Sequence, residues 1–318
     1  MAIFLTEGDV GQLLTMDIAL EAVEEAFKHQ AAGTADNSPR SRLRIEGGFF
    51  NLMAAAAPGL GVMGQKAYAA VRGGLRHFYV HLYGSDDGAL LAVFEASGMG
   101  QVRTGAASGV ATKYMARPDA QTVGVIGSGY QAQTQLEAVC RVRDVVSARV
   151  FSRKPERRQR FAEEMSAKLD IDVSVAGSAE ECVRDADIVI TITTSAAPVL
   201  EGRRLSPGTH VNAAGANHWM RREIDDETVS RAGTIVADDV EQAKTECGDL
   251  MQPIERGLLR WEDVRNLYEV VSGAVPGRTD AKQITLFASQ GMALEDIAVG
   301  ARLYKLAKER GVGTELPL

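Results

Sequence analysis

The residues with the clearest chemical meaning form the glycine-rich segment Gly127-Ser128-Gly129-Tyr130-Gln131-Ala132. The segment follows the short apolar run at residues 123–126 and opens a stretch with helical periodicity. In a G-x-G-x-x-A pattern, the first glycine permits a tight turn, the second lets the backbone approach a pyrophosphate, and the small last residue lets helix and strand pack closely. Exposed N–H groups and the helix dipole then bind the anion. We therefore predict that residues 127–132 bind a dinucleotide.

The residue that reads the adenine ribose usually ends the next strand, as an acid for NAD or with a nearby arginine for NADP. Here the strand-like residues 149–151 run into Ser152-Arg153-Lys154, none of which is acidic. Arg153 and Lys154 could clamp a 2′-phosphate, and Ser152 could hydrogen-bond it. This favours NADP slightly; in the alternative, Arg153 stacks over adenine and Ser152 contacts the ribose of NAD.

The elements that position these residues change character at Pro118. After Pro118, short apolar runs alternate with helical segments, which indicates an α/β fold with a Rossmann-type parallel sheet. Before it, a helix at residues 17–31 precedes strand-like segments between about 38 and 95, with a hairpin turn at 85–88. The last long helix, at about 294–309, has the length and amphipathicity to return to this α+β part of the chain.

Composition and charge limit the function classes. A chain of 318 residues exceeds what one hydrophobic core usually supports, which predicts two domains. The net charge is −7 and basic residues are scattered, so we expect no nucleic-acid or membrane partner. Neither a membrane-spanning stretch nor a signal peptide is recognisable. Three widely spaced cysteines (Cys140, Cys182 and Cys247) predict reduced thiols in a cytoplasmic protein without a metal site.

Two further segments carry a family resemblance: Arg103-Thr104-Gly105-Ala106, and the Ser-x-Gly-x-Ala-x-x-Asp pattern at residues 289–296. With residues 52–55, 64–66, 127–132, 187–193 and 210–217, in this order and spacing, the chain resembles the ornithine cyclodeaminase/mu-crystallin family along nearly its whole length. The resemblance implies a Rossmann domain at 118–294. It also implies a discontinuous substrate-binding and dimerisation domain, formed by 1–117 together with 295–318, and a homodimer.

The resemblance also implies chemistry, because family members share hydride exchange between nicotinamide and the α-carbon of an amino or imino acid. Arg103 resembles the arginine that binds the substrate carboxylate, for which a bidentate guanidinium is well suited. Lys66 matches the active-site lysine, which contacts the carboxylate and could relay a proton. Further cofactor contacts are implied for Thr104, Thr193 and Gly291.

A third cation is expected from the early strand. Arg40, Arg42 and Arg44 would share one face of a regular strand. Arg42 has the expected separation from Lys66, Arg40 is the alternative, and at least one of the three is expected to be a solvated surface residue.

Asn217 departs from the family pattern. Cyclodeaminases and alanine dehydrogenases of the family place an aspartate there as the acid/base for the amine, and an asparagine takes up no proton at neutral pH. The departure argues against cyclodeamination and leaves imine reduction open, with Lys66 or solvent as the proton source. His218 follows and could donate a proton or bind a second carboxylate; otherwise it is a loop residue, and Asn217 a turn residue.

We therefore expect NAD(P)H-dependent reduction of a small 2-imino acid to the L-amino acid, reversible as an amino-acid dehydrogenase. If the basic residues near Lys66 converge with His218, a dicarboxylic substrate follows, and iminosuccinate, which gives aspartate, is the specific hypothesis. The alternatives are a cyclodeaminase-type lyase that recycles its NAD, and a non-catalytic binder of small ligands like mu-crystallin.

Overall fold

The computed structural model describes residues 1–317. Its strands are β1 (Ile3–Leu5), β2 (Asp36–Ile45), β3 (Gly48–Ala57), β4 (Val62–Val71), β5 (Phe78–Gly84), β6 (Leu90–Glu95), β7 (Thr122–Ile126), β8 (Ser147–Phe151), β9 (Asp172–Val175), β10 (Ile188–Thr191), β11 (His210–Ala213), β12 (Ala232–Ala237), β13 (Val264–Asn266), β14 (Ile284–Ala288) and β15 (Thr314–Glu315). Its α-helices are α1 (Glu7–Leu13), α2 (Met16–Ala31), α3 (Ser97–Met115), α4 (Tyr130–Val142), α5 (Pro155–Leu169), α6 (Ala179–Val183), α7 (Asp226–Arg231), α8 (Val240–Glu246), α9 (Gly248–Glu255), α10 (Leu267–Val271) and α11 (Ala293–Arg310). Short 3-10 helices lie at Pro58–Leu60, Gly202–Arg204 and Trp261–Asp263.

The chain forms two compact units, of which the first combines Met1–Arg103 with Met292–Leu318. Its sheet has the order β15-β1-β6-β5-β4-β3-β2, in which β6, β5, β4, β3 and β2 pair antiparallel in turn and β1 pairs parallel with β6. Alternate residues of β3, from Asn51 to Ala57, are buried, so one face of the sheet forms a core. The predicted turn at residues 85–88 joins β5 to β6 as an antiparallel hairpin, which confirms that interpretation.

The second unit, Thr104–Gly291, contains a parallel sheet in the order β13-β12-β14-β11-β10-β7-β8-β9. Its central strands β10, β11 and β14 are buried along their whole length, as expected for a parallel sheet covered on both faces. One hydrophobic core includes Val211 and Leu286, and another includes Val123 and Leu136. The predicted α/β fold with a separate α+β unit is therefore confirmed.

The chain passes from one unit to the other between residues 103 and 104, inside helix α3, and between residues 291 and 292. The domain limits expected from the sequence, 117/118 and 294/295, stay a prediction about folding domains. Within residues 1–317, no helix is both long enough and apolar enough to span a membrane.

Candidate active site

The glycine-rich loop of the second unit begins where β7 ends. Gly127 has φ 126°, and a Cβ there would lie 2.3 Å from the carbonyl oxygen of Ile192, so only glycine fits without strain. Gly129 is the N-cap residue of α4 and provides no side-chain cap, and a Cβ built on it meets no atom within 4 Å. Ala132, in the first turn of α4, is fully buried. The first turn of α4 thus faces open space with the donor groups that suit a pyrophosphate.

The end of β8 lies beside this loop. The hydroxyls of Ser128 and Ser152 are 2.7 Å apart, and Arg158 donates a hydrogen bond to the Ser152 carbonyl at 3.2 Å. Arg153 and Lys154 are exposed. These positions suit residues that read the ribose end of a dinucleotide, as the sequence predicts. Within the loop itself, Tyr130 is exposed and Gln131 is half-buried.

Two buried carboxylates hold the loops that follow the strands of the parallel sheet. Glu223 accepts hydrogen bonds from the N–H groups of Thr193, after β10, and of Gly215, after β11. Burial raises the pKa of Glu223 to about 7, against the effect of these hydrogen bonds. Asp238, after β12, accepts from the N–H groups of Gln290 and Gly291 after β14, at 2.7 and 2.6 Å. Burial raises its pKa to about 6.

The remaining predicted residues of this unit occupy different surroundings. The carbonyl of Thr104, in α3, accepts a hydrogen bond from Gln135 of α4 at 3.1 Å. Asn217 is exposed in the loop after β11, two residues beyond Gly215, whose N–H donates to Glu223. His218 is half-buried, its ring stacks on Trp219, and its Nδ1 accepts from the backbone N–H of Met220 at 3.2 Å.

The first unit holds a buried cluster of five charged side chains, which we call the Lys66 cluster: Arg40, Lys66, Arg103, Glu295 and Asp296. The Lys66 ammonium donates to Oδ1 of Asp296 at 2.8 Å, and the same oxygen accepts from Nε of Arg103 at 3.2 Å. Arg103 also binds Glu295 at 2.6 Å. Two residues that the sequence proposes as substrate-binding groups therefore lie together and share one carboxylate.

Burial lowers the pKa of Lys66 to about 8, and Asp296 opposes this change while Arg103 and Arg40 reinforce it. Burial also disfavours the charge of Arg103, but Asp296 and Glu295 outweigh it and raise the pKa of Arg103. Arg103 is therefore a fixed positive charge. Lys66 can lose or accept a proton near neutral pH, as a proton-relaying group must.

The early strand delivers one of its three arginines to this cluster. The pairing of β2 with β3 shifts register between Ser38 and Ser41, a bulge that contains Arg40. Arg40 is 9% exposed and acts on the pKa of Lys66, whereas Arg42 is half-buried opposite Asn51. Arg44 is exposed. The structure thus supports Arg40 as the third cation, the alternative that the sequence left open beside Arg42.

A sequence model of the ornithine cyclodeaminase/mu-crystallin family matches residues 1–311. The chain belongs to this family. It is 35% identical to an alanine dehydrogenase from Archaeoglobus fulgidus, over 99% of this chain and 98% of that protein. This confirms the resemblance carried by the motifs around Arg103, Gly127 and Asp296.

Solved structures of family members superpose over the full chain. A Δ1-pyrroline-2-carboxylate reductase from Thermococcus litoralis, in complex with NADH and L-proline, has a TM-score of 0.94 at 36% identity, covering 99% of this chain and 100% of its own. The iminosuccinate reductase of Paracoccus denitrificans, in complex with NAD+, has a TM-score of 0.93 at 30% identity, covering 100% of this chain and 99% of its own. An archaeal alanine dehydrogenase dimer with bound NAD has a TM-score of 0.94 at 35% identity, covering 100% of this chain and 99% of its own.

Sequence reasoning assigned no role to four acids that the structure places in these sites: Glu223, Asp238, Glu295 and Asp296. Glu295 and Asp296 belong to the Ser-x-Gly-x-Ala-x-x-Asp pattern, and that pattern was the available signal. Glu223 stands in the charged run 221–226, where nothing distinguishes it from solvated neighbours. Within residues 1–317, no group of three or more histidine, cysteine, aspartate and glutamate side chains could hold a metal ion.

Proposed function

We propose that this protein is an NAD(P)H-dependent oxidoreductase that reduces a small 2-imino acid to the L-amino acid and catalyses the reverse dehydrogenation. The observation that carries the proposal is the Lys66 cluster, in which a permanently charged arginine and a lysine with a pKa of about 8 lie side by side and buried. The relatives named as pyrroline-2-carboxylate reductase, iminosuccinate reductase and alanine dehydrogenase support the same reaction class.

The glycine-rich loop at 127–132 fits the pyrophosphate of a nicotinamide dinucleotide, because Gly129 leaves open space before the first turn of α4. When bound, the reduced cofactor supplies the hydride that the imine carbon accepts. Arg103 binds the substrate carboxylate and thereby holds the α-carbon in position for hydride transfer, since the reacting atoms must be held close together in the right geometry. Lys66 holds the proton that keeps the substrate as an iminium, or that the product nitrogen takes up when the C=N electron pair becomes its lone pair. Asn217 orients the imine or a water molecule.

The charges of the Lys66 cluster bear on the substrate. They are the buried charged side chains of the first unit as described: three cations, Arg40, Lys66 and Arg103, against two carboxylates, Glu295 and Asp296. The excess of one positive charge matches a substrate with one carboxylate. The imino acids of alanine and proline fit this balance. Iminosuccinate needs a second cation, for which His218 is the candidate, and it stays a prediction.

The nicotinamide type is the finer part of the proposal. Ser152, Arg153 and Lys154 at the end of β8 support NADPH, whereas the solved relatives contain NADH, NAD+ or NAD. Binding titrations with NADH and NADPH, monitored by cofactor fluorescence, separate the two.

The reaction is tested by recording NADH and NADPH oxidation with pyruvate, glyoxylate or oxaloacetate in excess ammonia or methylamine, and with the cyclic ketimines of proline and pipecolate. We expect oxidation with at least one monocarboxylic imine. If both cofactors bind and no member of the panel oxidises either, the proposal fails. Ammonia release from ornithine without net cofactor change would instead establish a cyclodeaminase.

We also propose a homodimer formed through the open face of the antiparallel sheet. Leu43, Phe50 and Ala69 are neighbours across β2, β3 and β4 on the face opposite Lys66, and Leu43 is 52% exposed. The archaeal alanine dehydrogenase supports a second copy as the occupant, since it is a dimer and matches the whole chain. Light scattering coupled to gel filtration should give twice the chain mass, and Leu43→Glu should reduce it to the monomer. A monomeric wild-type protein contradicts this proposal.

A further inference from the structure

Strand β10 of the second unit carries a buried or half-buried acid network at each end. At its carboxyl end, the Glu223 carboxylate accepts the N–H groups of Thr193 and Gly215, the latter at 2.7 Å. At its amino end, Asp187 accepts from the N–H groups of Gln121 and Thr122, both at 3.0 Å. Both acids hold backbone N–H groups, on opposite edges of one sheet. Asp187 differs in that both N–H groups reach its Oδ2 while its Oδ1 pairs with Arg117. Ligands of open parallel sheets bind in the crevice at the carboxyl edge.

Glu223 is itself firmly held. Its backbone N–H and that of Ile224 donate to one carboxylate oxygen of Asp249, at 2.7 and 3.0 Å, and the Glu223 side chain is fully buried. The Glu223 side chain is packed closely against Gly215. A Cβ at Gly215 would lie 2.5 Å from the Thr193 carbonyl oxygen and 2.6 Å from the carboxyl group of Glu223. The Glu223 carboxylate thus fixes both loops relative to residues 223 and 224, which Asp249 holds in turn.

We propose that Glu223 is a positioning residue of the active site. It holds Thr193, assigned to the cofactor, and the Gly215–Asn217 loop, assigned to the imine, in the arrangement that hydride transfer needs. This inference rests on the proposed reductase function. Glu223 acts through these two loops and contacts neither substrate nor cofactor in this role. No comparable purpose exists for Asp187, because the loops it holds lie at the edge away from the ligand.

The chemistry of the side chain makes the idea testable. A carboxylate has two accepting oxygens, one for each N–H group, whereas an amide of the same shape has one oxygen and one donating NH2 group. In Glu223→Gln, one of the two loops must therefore face a donor instead of an acceptor and loses its hydrogen bond. An unsatisfied buried N–H is costly enough to displace the loop.

The experiment compares Glu223→Gln with Asp187→Asn, which makes the same carboxylate-to-amide change at the other edge, where it removes the ion pair with Arg117. Hydrogen–deuterium exchange followed by mass spectrometry reports on each loop without requiring turnover. Steady-state kinetics gives kcat and KM, and thermal unfolding shows whether the two variants are comparably destabilised. Glu223→Asp keeps the charge on a shorter side chain and serves as a second variant should Glu223→Gln not fold.

We expect faster exchange in residues 193–195 and 215–217 of Glu223→Gln, a decrease in kcat of about tenfold, and an NADH dissociation constant within threefold of wild type, because the loop at 127–132 is intact. Asp187→Asn should lose comparable stability with kcat unchanged. Glu223→Asp should show a smaller decrease in kcat than Glu223→Gln.

Two results overturn the inference: unchanged exchange and kcat in Glu223→Gln, or an equal loss of kcat in Asp187→Asn. Failure of the proposed function looks different. A wild-type protein that binds NADH but reduces no imine would leave the exchange comparison intact and would contradict the reductase instead.

Discussion

Buried carboxylates support both units of the molecule, but they have different partners. In the first unit, Asp296 and Glu295 bind the ammonium of Lys66 and the guanidinium of Arg103. In the second, Glu223 and Asp238 accept hydrogen bonds from backbone N–H groups of loops. The first arrangement keeps cations charged inside the protein, and the second fixes the course of the backbone.

The comparison shows that a buried carboxylate has a different effect when it binds a cation than when it binds backbone N–H groups. Dipoles of N–H groups compensate a buried negative charge less completely than a cation does, so the pKa values of Glu223 and Asp238 rise to about 7 and 6. In the Lys66 cluster, Asp296 instead limits the effect of burial on Lys66, whose pKa falls only to about 8. In the proposed function, one region binds a substrate charge and the other holds loops.

The largest effect is expected where an ion pair is broken. Arg103→Gln removes the buried guanidinium that binds Glu295 and Asp296, which should lower the free energy of unfolding by about 3–5 kcal/mol. It also removes the carboxylate clamp, so kcat/KM should fall by about a thousandfold, mainly through KM for the imino acid. Urea unfolding and steady-state kinetics check both effects.

The matched control is Arg302→Gln, which breaks the exposed pair with Glu21 in the same unit. It should cost less than about 1 kcal/mol and leave catalysis unchanged. An Arg103→Gln variant as stable and as active as this control would show that the Lys66 cluster is not a functional ion-pair network.

The next effect concerns pH and the second unit. The pKa of Glu223 is about 7 in the folded protein against an ordinary value of 4.5, so between these values the folded state binds more protons than the unfolded state. Its contribution to stability is therefore fully present below pH 4.5 and is lost as the pH rises through 7. Relative to Glu223→Gln, the wild-type protein should lose about 2–3 kcal/mol between pH 5 and pH 8.

Urea unfolding of both proteins across this range gives the difference, in which the titration of all other groups cancels. A difference that stays constant with pH would mean that the N–H donors fully compensate the buried charge of Glu223, and the contrast between the two regions would disappear.

A smaller effect is expected from Asp296→Asn. Lys66 loses its only carboxylate hydrogen-bond partner among the described residues, while burial, Arg103 and Arg40 still disfavour its charge, so its pKa falls below about 8. The pH profile of imine reduction should move its alkaline limb to lower pH, and kcat/KM at pH 8 should fall by about tenfold. An unshifted profile would show that Lys66 does not carry the proton.

The smallest effect tests the charge balance of the Lys66 cluster. Glu295→Gln removes one negative charge beside Arg103 and raises the excess of positive charge from one to two. The ratio of kcat/KM for oxaloacetate with ammonia to that for pyruvate with ammonia should then rise by about threefold. A ratio that is unchanged or lower would separate substrate choice from these charges.

Much of the fold and part of the site could be predicted from sequence, because local patterns specify them. The loop at 127–132 needs glycine for steric reasons, and α2 and α11 show a clear helical period. The bulge that brings Arg40 to Lys66 has a weaker signal, since Pro39 is compatible with a regular edge strand as well as with a bulge. Asp296 stands in the first turn of a helix, where an acid is ordinarily explained by the helix dipole.

Long-range pairing explains why the partners of Asp296 and Glu223 were not predicted from the sequence. Asp296 reaches Lys66 across 230 positions of sequence, and Glu223 holds a residue 30 positions earlier, after a strand that is not its neighbour in the chain. Such partners are set by sheet order and by which ends of strands lie side by side. No periodicity within either segment contains that information.

The most direct test of the proposed reaction follows the hydride itself. Reduced nicotinamide cofactor with deuterium at both C4 positions would be incubated with the protein, pyruvate and ammonia, or with the cyclic ketimine of proline, and the product amino acid analysed by mass spectrometry. We predict one deuterium at the α-carbon of the L-amino acid, with one cofactor oxidised for each product molecule. Product without deuterium, or cofactor binding with no oxidation by any imine, would contradict the assignment as an imino-acid reductase.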